Sequence, residues 1–292
     1  MATVFYDKAA VEVTHNGVTE QLLATDCSLN FSNNQQPLYI IGTKGPLGQF
    51  PSAARVGDLS FNFLTTITGN YFGHPGNLIN TVASGIKNSA SNGAETSGVT
   101  VKFAGVSGLG FLTSYSLGVA SNSVSSSSAA FTFYGSGTQL PVSGRLTGVV
   151  GDPLNTGALT TGIAQGRYTN LNNFSTIISE PESATEIGTV FSADYSLSLG
   201  YNPVYKIGQE FPTTCFYVNA QESVSIAEDV FNSGLLFKET SQNLVMTVSG
   251  LGGPWGTAGM EIGMSGVQQV STSMQAGLDD IVRTQKTLTA AY

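Results

Sequence analysis

Short runs in which apolar and polar residues alternate recur along most of this 292-residue chain. Residues 29–31, 59–63, 99–103 and 130–134 place Leu, Phe, Val or Tyr at every second position, the period of a half-buried strand. Residues 195–199, 216–218, 224–226 and 244–248 repeat that period in the second half. Gly, Pro and Asn separate the runs, so the pattern predicts many short strands in a sandwich or barrel. Asn16-Gly17, between two β-favouring stretches, predicts a hairpin turn. One segment changes period. Leu78, Ile79, Val82 and Ile86 fall on one face of a helix, Pro75 suits its first turn, and the Gly- and Asn-rich residues 88–98 would end it. Near the C-terminus, Leu278, Ile281 and Val282 fit a second helix, while residues 287–291 fit a strand equally well. The run Ser125 to Ser128 reads as a flexible tip or as a polar-faced strand or hairpin. Residues 179–186 read as a solvated loop.

The order of the runs carries a second signal. Asp26 to Phe31, Pro37 to Gly42, Phe50-Pro51 and Leu59-Ser60-Phe61 are echoed by Asp194 to Leu199, Pro203 to Gly208, Phe211-Pro212 and Val224-Ser225-Ile226. The offsets lie between 161 and 168 residues. Each block is a cheap match alone, but four in one order predict an internal duplication. A chain of two like domains places twice as many equivalent units in a ring as it has subunits. The Gly-, Thr- and Asn-rich stretch 135–173 is the natural seam, giving expected domains 1–143 and 144–292.

Composition sharpens this. Charged residues make up 10% of the chain, against roughly a quarter in ordinary soluble proteins. Ser, Thr, Asn, Gln and 35 Gly take their place. A charge-poor surface suits a protein covered by copies of itself, or else a secreted or viral β-protein with a neutral surface. The net charge of −8, with only 11 Lys and Arg, argues against gripping nucleic acid. It leaves room for a surface along which DNA slides. Cys27 and Cys215 are expected as separate buried thiols. The N-terminus lacks signal-peptide character, and no apolar run approaches the ~20 residues of a membrane helix. The expectation is a chain made in a cytoplasm, soluble until it assembles.

Catalytic motifs are scarce. His15 and His74 lie in no metal-ligand spacing. Gly105-Val-Ser107-Gly108 only approaches a nucleophile elbow. The stretch Gly42 to Gly48 lacks the ending of a phosphate loop and reads as a turn after a strand at 38–41. Residues 250–256 lack dinucleotide-fingerprint spacing and read as a loop around the sole tryptophan, Trp255. The acids Asp279-Asp280, Glu180, Glu182 and Glu228-Asp229 are adjacent or nearly so, which on a strand points them to opposite faces. The expectation is a chain with no catalytic residue, no cofactor, no metal site and no enzymatic activity.

Residues 110–119 (Gly-Phe-Leu-Thr-Ser-Tyr-Ser-Leu-Gly-Val), then Asn122-Ser-Val124, then Ser128 to Gly135 ending Phe-Thr-Phe-Tyr-Gly, resemble the closing strands of bacteriophage tail tube domains. The earlier order is similar too: a strand at 27–31, a loop at 42–50, a strand at 59–63, then a helix near Leu78. The resemblance covers roughly the first half, and the second half enters through the repeat. Residues 260–292 lack the Leu-Thr-Ser-Tyr-Ser line and are expected as an interlocking arm. The resemblance implies a mainly β chain of two tandem tail-tube-like sandwich or barrel domains, each with at most one short helix. It implies trimeric rings that mimic hexamers, with true hexamers as the alternative, stacked into a tail tube that conducts DNA without binding it. Tape measure and terminator proteins are the implied partners, the virion the implied location, with no membrane. A neck, baseplate or capsid decoration protein is a variant of that reading. A two-domain adhesin or carbohydrate binder, using exposed aromatics such as Tyr71, Phe72 or Trp255, is the competing one.

Overall fold

A computed structural model describes residues 11–22, 24–32, 35–51, 55–64, 78–90, 98–103, 106–120, 126–135, 143–144, 174–179, 190–208, 212, 214–228, 242–250, 259–275 and 283–292. The chain is mainly β, with large antiparallel sheets and, among the described residues, one helix.

β1 (Val11–His15) and β2 (Val18–Leu22) form a hairpin across Asn16 and Gly17, whose φ values are 49° and 79°. Two consecutive positive φ values are the geometry that Asn-Gly supplies at lowest steric cost. Next come β3 (Ala24–Ser32), β4 (Gln35–Leu38), β5 (Gly48–Pro51) and β6 (Arg55–Leu64). β3 pairs with β6 and β4 with β5, so the chain runs out to a tip and returns. The strand expected over 38–41 stops at Leu38. Beyond it the chain turns, with the Thr43 N–H donating to the Ile40 carbonyl.

α1 (Leu78–Ala90) forms where the periodicity placed it. Leu78, Ile79, Val82, Ala83 and Ile86 are buried. Burying each large aliphatic side chain contributes about 1.5–3 kcal/mol, far more than the intrinsic helix preference of a stretch containing Thr81, Val82, Ser84 and Gly85. Lys87 in the last turn suits the negative end of the helix dipole. The helix packs on β1, on β8 (Val106–Ala120) and on β13 (Thr214–Glu228).

The remaining strands are β7 (Val99–Phe103), β9 (Ser126–Gly135), β10 (Ser143–Gly144), β11 (Phe174–Ser179), β12 (Val190–Val204), β14 (Gln242–Gly250), β15 (Gly259–Gln275) and β16 (Arg283–Ala291). β8 organises them. Gly110 pairs with Val99 of β7 and Phe133 of β9, so these strands lie on opposite edges of β8. Residues 114–118 pair with β9 on one edge and with β12 on the other. β7 and β12 therefore divide one edge of β8 between them. One path of eight strands results, β3-β6-β9-β8-β12-β13-β16-β15, with side wings β7-β1-β2 and β14-β11. Gly110 has no side chain because a Cβ there would stand 2.8 Å from the Phe133 ring.

One apolar core crosses the middle of the chain. Phe61, Phe131, Leu112, Tyr115 and Leu117 share it with Tyr195, Leu197, Val224 and Ile226. The Phe61 and Phe131 rings stack at 6.1 Å, and Tyr115 meets Tyr195 at 6.2 Å across the β8–β12 seam. The expected boundary near Gly144 falls in β10, which pairs with β8.

Several sequence readings resolve here. Ser126 to Ser128 open β9, so the serine run takes the polar-faced strand form. Residues 283–291 form a strand; Leu278, Ile281 and Val282 lie outside the described residues. The segment expected as an interlocking arm lies instead within the sheet: β16 is flanked by β13 and β15 and supplies the register of both. Residues 180–189 also lie outside the described residues.

Candidate functional site

The side of the eight-strand path that faces away from the core is small and polar across its middle, and toward one end it carries Phe111 and Tyr134, whose rings lie 6.1 Å apart. Strand alternation sends Tyr115, Leu117, Tyr195, Leu197, Val224 and Ile226 inward, so their neighbours point outward. Register then aligns the outward residues into transverse rows. One row runs Asp26, Asn62, Ser128, Ser116, Ser196, Ser223, Thr289, Gln268, one residue from each of the eight strands. A second runs Ser28, Ser60, Ala130, Ser114, Ser198, Gln221, Ala291.

These side chains bond one another. Ser116 and Ser128 hydroxyls meet at 2.7 Å, as do Ser196 and Ser223. Asn62 donates to Asp26 at 2.8 Å, and Gln285 to Ser225 at 3.0 Å. Charge on this face is sparse and mostly acidic: Asp26, Asp58 and Asp194, with burial raising the Asp194 carboxyl. Arg283 sits at the end of β16, its guanidinium 5.0 Å from the Phe191 ring. Over β12, β13, β15 and β16 the face is hollowed into an open groove of about 580 Å³, bordered by Ser196, Ser198, Gln221, Gln268 and Thr289.

Behind the face lie charges of which sequence reasoning singled out only Glu228. Glu222 stands at an inward position of β13. Its Oε1 accepts from the Tyr195 hydroxyl at 2.5 Å and from Lys87 Nζ at 3.2 Å. Lys87 also donates to the Gly263 carbonyl and lies 5.5 Å from the Tyr292 ring centre. One lysine thereby ties α1 to β13, β15 and the residue after β16. Burial, with Glu222 beside it, raises the Tyr195 phenol. Glu228, which the sequence sets next to Asp229, pairs with the buried Lys286. The Glu20 carboxylate accepts the Leu78 N–H at the start of α1 at 2.5 Å, and burial pushes its pKa up to about 7 against that bond's lowering effect. The signal for these groups was parity: Glu222 and Lys286 occupy the inward positions of their strands.

Two hairpin tips form another surface. In 39–47 and 204–208, Tyr39, Ile41, Leu47, Tyr205 and Ile207 are exposed, and Ile41 and Ile207 fully so. Each isoleucine precedes a glycine at positive φ, Gly42 at 101° and Gly208 at 86°.

Of the other residues singled out by sequence, His15 ends β1 with Nε2 3.1 Å from Asn16 Nδ2. Lys102 pairs with Glu12 at 3.1 Å. Cys215 is buried and Cys27 half-buried, and burial pushes their thiols up to about 11 and about 12. His74, Pro75, Tyr71, Phe72, Trp255, Glu180, Glu182, Asp229 and Asp279-Asp280 lie outside the described residues. Among the described residues no cluster of His, Cys, Asp or Glu is placed to hold a metal, and no helix is long and apolar enough to cross a membrane. No family model matches the chain, and no curated protein matches it significantly.

Proposed function

We infer that the chain is a virion structural protein that assembles with itself into stacked rings, the conduit of a phage tail tube. The observation that carries this is the polar row drawn from eight consecutive strands of both halves. A single soluble domain has little use for so broad a face of Ser, Thr, Asn and Gln with three acids and a lysine-free centre. A channel wall does: small neutral side chains present no cationic anchors to phosphate, and scattered carboxylates repel it.

Dimensions favour several copies. Eight strands closed alone give an interior filled by side chains. Three chains would bring about two dozen strands, and at roughly 4.8 Å spacing and ~40° tilt these enclose a backbone cylinder roughly 45–50 Å across. That leaves a lumen for a nucleic-acid duplex.

Three features favour two like units per chain, and hence trimers that mimic hexamers. The order β3-β6-β9-β8 is matched by β12-β13-β16-β15. The β3–β6 and β12–β13 hairpins both end in Tyr, one intervening residue, Ile and a positive-φ glycine. A wing hangs on β8 and another on β15. The exposed tips, standing clear of the sheet, suit contacts between rings, and tape measure and terminator proteins would meet the tube's interior and end. The adhesin reading gains little, since among the described residues no aromatic side chain lines the groove. Electron microscopy of concentrated protein tests the proposal. Hollow rings or tubes are expected; a field of single compact particles at every concentration would sink it.

A further inference from the structure

Both ends of the eight-strand path are open among the described residues. β3 pairs with β6 alone, and residues 271–275 of β15 pair with β16 alone. Each open edge carries an apolar residue on the core side. Phe31 lies opposite buried Gly57, and Met274 opposite buried Thr284, yet both Phe31 and Met274 are 53% exposed. Neither edge bears Lys, Arg or Pro over 24–32 or 268–275, the usual means of blunting an open strand.

The chain contains one such edge already filled, the β8–β12 seam. There Tyr115 faces Leu197 and Leu117 faces Tyr195, and all four are at most 4% exposed. Two structural marks relate the open edges to this seam. β8 bulges between Leu112 and Ser114, and β15 between Gln269 and Ser271, which sets Ser114 against Ser271 and Leu117 against Met274. The tip glycines Gly42 and Gly208 set Phe31 against Leu197 and Leu29 against Tyr195, two residues from the match of the Asp26 and Asp194 sequence blocks. The marks agree through the registers: Leu29 faces Leu59, which faces Phe131, as Tyr195 faces Val224, which faces Leu288. Phe131 and Leu288 stand at the two bulges.

We propose that the open edge of β15 in one copy pairs antiparallel with the open edge of β3 in a second copy, in the register Ser271 to Ser32, Thr272 to Phe31, Ser273 to Asn30, Met274 to Leu29 and Gln275 to Ser28. This rests on the self-assembly reading and names its joint. The contact is head-to-tail, so it closes into a ring when the rotation permits. It covers Phe31 and Met274 as the seam covers Leu197 and Leu117. It also carries the polar face onward, with outward Ser273 beside outward Asn30. No like charges meet across it.

Cysteine cross-linking tests the register. In a Cys27→Ala background, Leu29→Cys with Met274→Cys should link copies on mild oxidation, giving a ladder of covalent oligomers on a denaturing gel that neither single variant gives. Met274→Cys with native Cys27 lies two residues out of register, beyond disulfide reach, and should link at least tenfold less. Phe31→Lys, at an exposed position, should keep the circular dichroism of the parent and weaken assembly at least tenfold. Rings that form without the Leu29/Met274 cross-link, or that tolerate Phe31→Lys, would overturn the joint and leave the assembly reading standing. Absence of both rings and cross-links would overturn both.

Discussion

Charge is rare in this chain, and where it is buried it is paired. Lys286 with Glu228 and Lys87 with Glu222 each place a cation and an anion inside one core. Removing one partner of such a pair typically costs about 3–5 kcal/mol, because the other is left buried and uncompensated. Glu20 differs, for its partner is a backbone N–H. Burial pushes its pKa in the fold up to about 7, above the ordinary glutamate value of 4.5. The folded state therefore binds the proton more tightly than the unfolded chain, and stability is lost as pH rises from about 4.5 through about 7. Glu20→Gln keeps an oxygen for the Leu78 N–H and removes the titration. In urea denaturation, its stability relative to the parent should improve by on the order of 3 kcal/mol between pH 4.5 and pH 8. A gap that does not change with pH would contradict a buried, ionising Glu20. Sequence alone hid these groups, because hydrophobic patterning treats every Glu and Lys as outward. Parity within β13 and β16 marked only Glu222, Glu228 and Lys286 among them.

At the level of elements, alternation located the strands but not their lengths. β8, β12 and β13 each run 15 residues, because Ser and Gly continue a ladder without adding apolar signal. β15 was illegible for the same reason: Gly, Ser and Gln break its alternation, and a bulge shifts its phase. α1 and the Asn16-Gly17 hairpin were legible because each rests on local chemistry, an apolar helical stripe and a turn that needs positive φ. The tips were not, since a run such as Leu-Tyr-Ile-Ile reads as strand until no partner covers it. Ile41 and Ile207 touch little of their own chain, so Ile41→Lys with Ile207→Lys should change unfolding stability by less than about 0.5 kcal/mol. Sedimentation should show weaker association, with rings persisting and stacks lost. A large fall in thermal stability with stacking intact would assign the tips to the fold.

Across the whole molecule, the two halves meet as neighbours in one sheet, through β8 and β12, over one core. The blocks shared by the halves pointed to two units. What they could not give was the seam, since pairing between distant strands depends on register rather than on composition. In the assembly proposed above that seam is the template: an edge filled inside the chain, where the corresponding edges of β3 and β15 are open among the described residues. Closed edges remove the hazard of a flat, uncharged strand, and a ring closes them without any added protein. The most direct measurement is the mass of the native particle, by native mass spectrometry or light scattering across a wide concentration range. Species at three times the 30.4 kDa chain mass, and at multiples of that, are expected. A particle that stays at 30.4 kDa at the highest attainable concentration would contradict it.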